Sequence, residues 1–273
     1  MGKFDGLLIC TDLDGTLYKN DKTISTENKQ AIDFFKREGG YFTFITGRMP
    51  YYSKDAFNAI SPNAPFGCIN GGGIYDGHKK EYVWRRELPL VALELVSLID
   101  ENYTDVGIQL CCFERTCFAR ENGTTVRFRQ RTGLPEIFCD YHGFSEPLGK
   151  IMFCTDDEEK ILGIERDLKS HPKSDIFDFI RSEKTLFEIL PKHSSKGASL
   201  KVLADHLKID IKRTVAVGDY DNDASMLRTA GCGIAVSNAS KSALEAARFV
   251  TVSNEEHAIA KIIYDIERGR LPL

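Results

Sequence analysis

Four short runs hold residues of the kinds that handle phosphate and divalent cations. The first, Asp12-Leu13-Asp14-Gly15-Thr16, directly follows the apolar run Gly6-Leu7-Leu8-Ile9-Cys10-Thr11. Side chains two apart at a strand end can point the same way, which would bring two carboxylates to one point. Paired acids without a cation repel one another. Mg2+, held by one or two carboxylates, waters and a substrate phosphate, relieves that repulsion. A strand followed by a polar Asp-Gly turn explains the same residues with no chemistry at all.

The second run, Thr46-Gly47-Arg48, ends another apolar stretch and offers a hydroxyl and backbone N–H groups to phosphate oxygens, although such residues also serve as helix caps. In the third, Ser194-Ser195-Lys196-Gly197, Lys196 opens a predicted helix, where its charge suits phosphate oxygens in a transition state. Most lysines are simply solvated. The fourth, Gly218-Asp219-Tyr220-Asp221-Asn222-Asp223, has three acids able to complete a cation site. A calcium loop of the helix-loop-helix kind would need Gly sixth and Glu twelfth, where this run has Ala224 and Ala230.

Something must hold these runs together. Residues 6–11, 41–45 and 66–69 read as buried strands, with helices predicted over 26–37, capped by Ser25, and over 52–60. Strand, helix and strand in that order imply a parallel pair with a right-handed crossover. The pattern returns late in the chain, with helices over 197–207, 223–230 and 242–247 and strands over 214–217 and 233–236. The motifs then fall at the carboxyl ends of strands, where open α/β sheets form their ligand crevice. Between the two blocks the texture changes. Strands over 106–113, 117–120, 151–154, 176–181 and 186–190 alternate with helices over 90–101 and 158–168, which suggests an α+β insert.

Bulk properties narrow the class. The chain has 273 residues, 42% hydrophobic and 28% charged, and its 36 Lys and Arg against 40 Asp and Glu give a net charge of -4. Such a balance disfavours nucleic acid as a partner. No stretch approaches the roughly 18 apolar residues of a membrane span, and the start MGKFDGLLIC lacks a cleavage-like region, so a cytoplasmic protein is expected. Eight cysteines without C-x-x-C spacing read as reduced thiols acting as small hydrophobes.

The four runs in this order resemble the haloacid dehalogenase (HAD) superfamily, and in detail its Cof-like phosphatases with a C2-type (IIB) cap. Asn70-Gly71-Gly72, Ala235-Val236-Ser237-Asn238-Ala239 and Thr251-Val252-Ser253-Asn254-Glu255-Glu256 extend the likeness over nearly the whole chain. Where that family usually has Gly after the last of these, this chain has His257. The resemblance implies a Rossmann-like parallel α/β core over 1–82 and 186–273, with an α+β cap that sets substrate specificity inserted over 83–185.

It also implies roles. Asp12 is the nucleophile and Asp14 the general acid/base, with Asp12, Asp14, Asp219 and Asp223 placed on Mg2+. Leu13, Thr46, Gly47, Arg48, Lys196 and Asn222 are placed on the phosphate, and Asp223 also holds Lys196 or a metal-bound water. Asp221 is read as solvated. Like-charge coupling to Asp12 is expected to raise the pKa of Asp14. The implied reaction is hydrolysis of a small phosphorylated metabolite, sugar phosphates foremost, through an aspartyl-phosphate. A phosphomutase or phosphotransferase, or a silent phospho-ligand-binding protein, stands as the alternative, and a monomer or small homo-oligomer is expected. Arg85, Arg86, Arg115, Arg120, Arg127, Arg129 and Arg131 make the start of the insert arginine-rich, which reads as a solvated cationic face or as contacts to a second anionic group.

Overall fold

The computed structural model describes residues 2–271. The chain divides into two compact units, one of Met1–Trp84 with Ser195–Leu273 and one of Arg85–Ser194.

The first unit begins with β1 (Leu8–Thr11), α1 (Thr26–Arg37), β2 (Tyr41–Phe44), α2 (Lys54–Ile60) and β3 (Phe66–Cys68), then β4 (Gly73–Asp76) and β5 (Glu81–Arg85). Leu8, Ile9 and Cys10 are all fully buried, as a strand covered on both faces requires. Helix α1 starts where Ser25 Oγ accepts from Asn28 N at 3.2 Å, and it turns Ala31, Ile32 and Phe35 inward. β3 departs from the simple parallel pattern. It touches the end of β2 through a single bridge, Ile45 to Gly67, and its ladder is antiparallel with β4 in a separate sheet of order β3-β4-β5.

The second unit contains α3 (Ala92–Asn102), β6 (Gly107–Cys112), β7 (Thr116–Arg120), α4 (Gly123–Thr132), β8 (Leu148–Cys154), α5 (Glu158–Ser170), β9 (Phe177–Glu183) and β10 (Leu186–Pro191). Its strands form one antiparallel sheet of order β7-β6-β8-β10-β9. Leu95, Val96 and Ile99 of α3 and Ile161, Ile164 and Leu168 of α5 cluster with Ile108, Leu110, Ile151, Phe153, Phe187 and Ile189 of the sheet. Each such side chain contributes about 1.5–3 kcal/mol by leaving water. Alternation sends Lys150 and Glu188 to the opposite face, where they are buried and paired at 2.9 Å, with Ser182 Oγ donating to the same Glu188 oxygen at 2.6 Å.

Two sequence expectations change here. Residues 186–191 were expected in the core half, but β10 pairs antiparallel with both β8 and β9, so the chain leaves the second unit only after Ser194. The arginine-rich start of the insert is not a bare cationic face. Arg85, Arg115, Arg120, Arg127, Arg129 and Arg131 pair with Glu87, Glu146, Asp100, Asp156, Glu121 and Glu183 respectively, and Arg86 donates to the Lys192 carbonyl.

The first unit is completed by α6 (Lys196–Leu207), β11 (Thr214–Gly218), α7 (Ala224–Thr229), β12 (Cys232–Ala235), α8 (Lys241–Ala246), β13 (Phe249–Val250) and α9 (Ala258–Glu267). Its main sheet is parallel throughout, in the order β13-β12-β11-β1-β2. The carboxyl ends of β1, β2 and β11 therefore lie side by side, each followed by one of the motif runs. All eight cysteines are in the reduced thiol form, and among the described residues no helix is long and apolar enough to cross a membrane.

Candidate active site

The site grows from the ends of β1 and β11. Asp12 N–H donates to the Val217 carbonyl at 2.8 Å, which carries the parallel ladder one residue past β1 and fixes where the Asp12 carboxylate begins. The chain then turns sharply at Gly15, whose φ of 81° lies in the left-handed region. A Cβ there would stand 2.4 Å from Asp219 Oδ2, so Gly is required twice over, by backbone and by space. Thr16 Oγ1 donates to Asp219 Oδ1 at 2.7 Å, tying this turn to the loop after β11.

Lys196, the first residue of α6, reaches into the same place. Its Nζ lies 2.6 Å from Oδ1 of Asp12 and 2.6 Å from Oδ1 of Asp223, and it is 1% exposed. Ser195 caps the helix through Ala198 N at 3.1 Å, which sets the direction in which Lys196 leaves the backbone. Asp223 is fully buried, and its Oδ2 accepts from Asp219 N at 2.9 Å and Tyr220 N at 3.0 Å. One carboxylate thus holds both the lysine and the loop carrying Asp219.

Oxygens of Asp12, Asp219 and Asp223 approach within 4.8 Å of one another. Three carboxylates around one ammonium leave an excess of negative charge in a buried place. Burial pushes the Asp12 carboxyl well above its ordinary range against the opposing pull of Lys196, and Asp223 and Asp219 push the same way. Burial and the neighbouring Asp223 push Asp219 up to about 7. For Lys196, burial favours the neutral amine, yet Asp12 and Asp223 outweigh it and hold the ammonium charged. The donor set is all oxygen, which suits a hard divalent cation. Asp12 Oδ1 is committed to Lys196 and Asp219 Oδ1 to Thr16, which leaves Oδ2 of each for a cation. Both oxygens of Asp223 already accept hydrogen bonds, so its position suits support better than direct ligation.

Asp14 does not follow the expectation of a raised pKa. Its side chain turns away to Arg48, which reaches it from Nε at 3.1 Å and from Nη2 at 2.9 and 2.8 Å, with Lys22 Nζ adding 3.0 Å. Burial works to raise the carboxyl, but the charges and hydrogen bonds of Arg48 and Lys22 win and lower it. Arg48, expected on phosphate, is likewise drawn to Asp14 and stacks over the Tyr18 ring at 5.6 Å.

The remaining expected residues surround this centre. Thr46 is buried at the end of β2, with its hydroxyl accepting from Arg48 N at 3.2 Å. Leu13 is an apolar side chain in the core, so only its backbone can meet a phosphate. Asn222 Nδ2 donates to Asn70 Oδ1 at 3.0 Å, while the Asn222 Oδ1 is buried without a hydrogen-bond partner. Gly47 lies against Asn70, where a Cβ would come within 2.8 Å of its side-chain oxygen. Sequence reasoning had no role for Asn70, Gly15 or Thr16. Asn70, with φ of 49°, carried the one available signal, a polar residue leading a glycine run at a strand end.

Residues 9–263 match the family model described as haloacid dehalogenase-like hydrolase. The chain belongs to that family. It is similar to two Bacillus subtilis proteins, the phosphatase YwpJ (28% identical, covering 94% of this chain and 98% of that one) and the 5-amino-6-(5-phospho-D-ribitylamino)uracil phosphatase YwtE (30%, covering 96% and 98%). Among solved structures it resembles the HAD subclass IIB sugar phosphatase BT4131, with a TM-score of 0.79 at 19% identity over 95% of this chain and 98% of that one. This HAD chain is a Cof-like phosphatase, a phosphoric monoester hydrolase, and its fold resembles that of the subclass IIB neighbour.

Proposed function

We propose that this phosphatase is Mg2+-dependent and acts through Asp12 as nucleophile on small phosphorylated metabolites, sugar and sugar-alcohol phosphates foremost. The observation that carries the reading is the Lys196 ammonium bridging Asp12 and Asp223 beside Asp219. A carboxylate at a strand end, a fixed cation and a cluster of oxygens match the needs of an attack on a phosphate monoester. The phosphorylated ribityl group in the name of YwtE and the sugar phosphatase BT4131 support the substrate class.

Asp12 and Asp219 hold the metal, with Asp223 fixing Lys196 and the Asp219 loop. Bound there, Mg2+ supplies positive charge to the phosphate oxygens. Asp12 attacks phosphorus in line, forming the acyl phosphate as the bond to the substrate oxygen breaks. Lys196 neutralises charge on the transferring group, and the Thr46 hydroxyl and the Asn222 side chain fix its orientation. Asp14 gives a proton to the leaving oxygen, so its side chain must first leave both Arg48 and Lys22, whose charges hold it ionised. It then takes a proton from the water that attacks phosphorus, and Asp12 returns as a carboxylate with inorganic phosphate released. The second unit acts as the cap that selects the substrate.

Phosphate release from a panel of sugar and polyol phosphates, with Mg2+ and with EDTA, tests this reading alongside Asp12→Asn. Release that depends on Mg2+ and vanishes in the variant is expected. Equal turnover in EDTA would remove the metal, and an active variant would remove Asp12 as nucleophile.

A further inference from the structure

Three of the eight cysteines meet in the second unit. Pairing of β6 with β7 sets Leu110 opposite Cys117, so Cys112, two residues further along β6, leaves the same face as a diagonal neighbour of Cys117. On the other side of β7, Phe118 bridges Phe138 in parallel, and Cys139 N–H donates to the Phe118 carbonyl at 3.1 Å. Alternation then sends Cys139 to the face that carries Cys117. Cys112 and Cys117 belong to the hydrophobic cluster beneath α3 and α5, and Cys139 packs against its edge. The Cys117 sulfur is within hydrogen-bond reach of both other thiols.

Charge adds to this arrangement. Arg115, paired with Glu146, stands beside Cys117 and Cys139. The Cys117 thiol is fully buried and donates to the Leu110 carbonyl at 3.8 Å, and its thiol neighbours together with the Arg115 charge favour its ionisation against that burial. A thiolate is the form that attacks an oxidised sulfur. Cys112 and Cys117 are buried and Cys139 is half-buried, so solvent meets the trio at Cys139.

We propose that Cys139, Cys117 and Cys112 form a thiol oxidation site at which a peroxide enters through Cys139 and the oxidation passes inward as a disulfide. The sulfur of Cys139 takes one oxygen from hydrogen peroxide, giving a sulfenic acid and one water. Cys117 attacks that sulfur, the S–O bond breaks, and the departing hydroxide leaves as water with the Cys117 proton. The product is a Cys117–Cys139 disulfide. Cys112 then attacks the Cys117 sulfur, Cys139 departs as a thiol carrying the proton given up by Cys112, and the bridge becomes Cys112–Cys117. Cys112 is a diagonal neighbour of Cys117 on the paired strand, and Cys139 lies beside Cys117 next to the Phe118–Phe138 bridge, so each disulfide needs only a local shift of the backbone.

Trypsin separates the three positions, since Cys112 falls in residues 87–115, Cys117 in 116–120 and Cys139 in 132–150. Full-length protein is treated with hydrogen peroxide, blocked with N-ethylmaleimide in denaturant, and mapped without reduction by mass spectrometry. Peptide 116–120 is expected joined to 132–150 or to 87–115, and both species should vanish on reduction. In Cys117→Ala the bridges are lost and Cys139 is trapped as a sulfenic acid by dimedone; in Cys139→Ser, a half-buried and conservative change, the peroxide-driven bridge to Cys117 is lost. Cys139 oxidised with Cys117 still fully blocked by maleimide would overturn the proposal, as would an unchanged Cys112–Cys117 bridge in Cys139→Ser. This chemistry is read by mass, so it stands or falls apart from phosphatase activity.

Discussion

Lys196 Nζ and Asp12 Oδ1 lie 2.6 Å apart although 184 positions separate the two residues in the chain. That contact joins the end of β1 to the start of α6. Lys196→Met would leave Asp12 and Asp223 facing one another without the ammonium between them. Turnover is expected to fall about 100- to 1,000-fold, the usual cost of losing a charge aimed at a transition state. Removing one partner of a buried ion pair also costs about 3–5 kcal/mol. Steady-state kinetics and urea unfolding of the same variant would report both, and a fully active Lys196→Met would contradict the assignment of the lysine to the reaction.

Mg2+ should stabilise the protein itself. A cation bound only by the folded state adds about 2.7 kcal/mol when its free concentration is about 100 times Kd. The Tm is expected to rise by several degrees in Mg2+ relative to EDTA, with little rise in Asp219→Ala. The gain should grow with pH. A carboxyl raised in the folded state favours folding at pH below its unfolded value and loses that contribution as pH rises through the folded value, about 7 for Asp219. Metal-free protein should therefore weaken between about pH 4 and 7, and Mg2+ should restore more at pH 8 than at pH 5. Differential scanning fluorimetry across that range, with and without Mg2+, checks the sign.

Gly15→Ala joins two costs at one position. A left-handed backbone costs a non-glycine residue roughly 1–2 kcal/mol, and the new methyl would stand 2.4 Å from Asp219 Oδ2. The carboxylate has to move off Thr16. Lower stability together with a weakened thermal response to Mg2+ is expected; a variant with the wild-type Mg2+ response would show that the turn does not set the position of Asp219.

The buried pair Lys150–Glu188 should behave as a unit. Lys150→Met alone leaves Glu188 buried beside Ser182, at a cost of about 3–5 kcal/mol, whereas the double change with Glu188→Leu removes the stranded charge and should recover most of it. Chemical denaturation of wild type, single and double variants completes the cycle. Two single costs that simply add in the double variant would show that the two charges do not act together.

Much of the site was legible in the sequence because each part is local. An apolar run that stops at Asp12, at Thr46 or at Gly218 announces a buried strand meeting a polar loop, and parallel strands bring such ends to one edge. The helix α4 was missed because Gly-Thr-Thr-Val-Arg-Phe-Arg-Gln-Arg-Thr has hardly any apolar periodicity; its start depends on the reciprocal cap between Asn122 and Thr125. The sequence pattern groups 186–190 with the strands of the insert, and only the boundary drawn at 185 cuts β10 from them, because a short apolar strand does not reveal its neighbours.

By itself, then, the sequence determined which residue types stand at which strand ends, since hydrophobic runs and turn residues act over a few positions. Tertiary structure decided the pairings. Whether Asp14 faces Asp12 or Arg48 depends on a guanidinium 34 residues away, and that choice reversed the expected direction of its pKa. The nearness of Cys112, Cys117 and Cys139 likewise follows from strand register and a bridge at Phe118, contacts that no local pattern encodes.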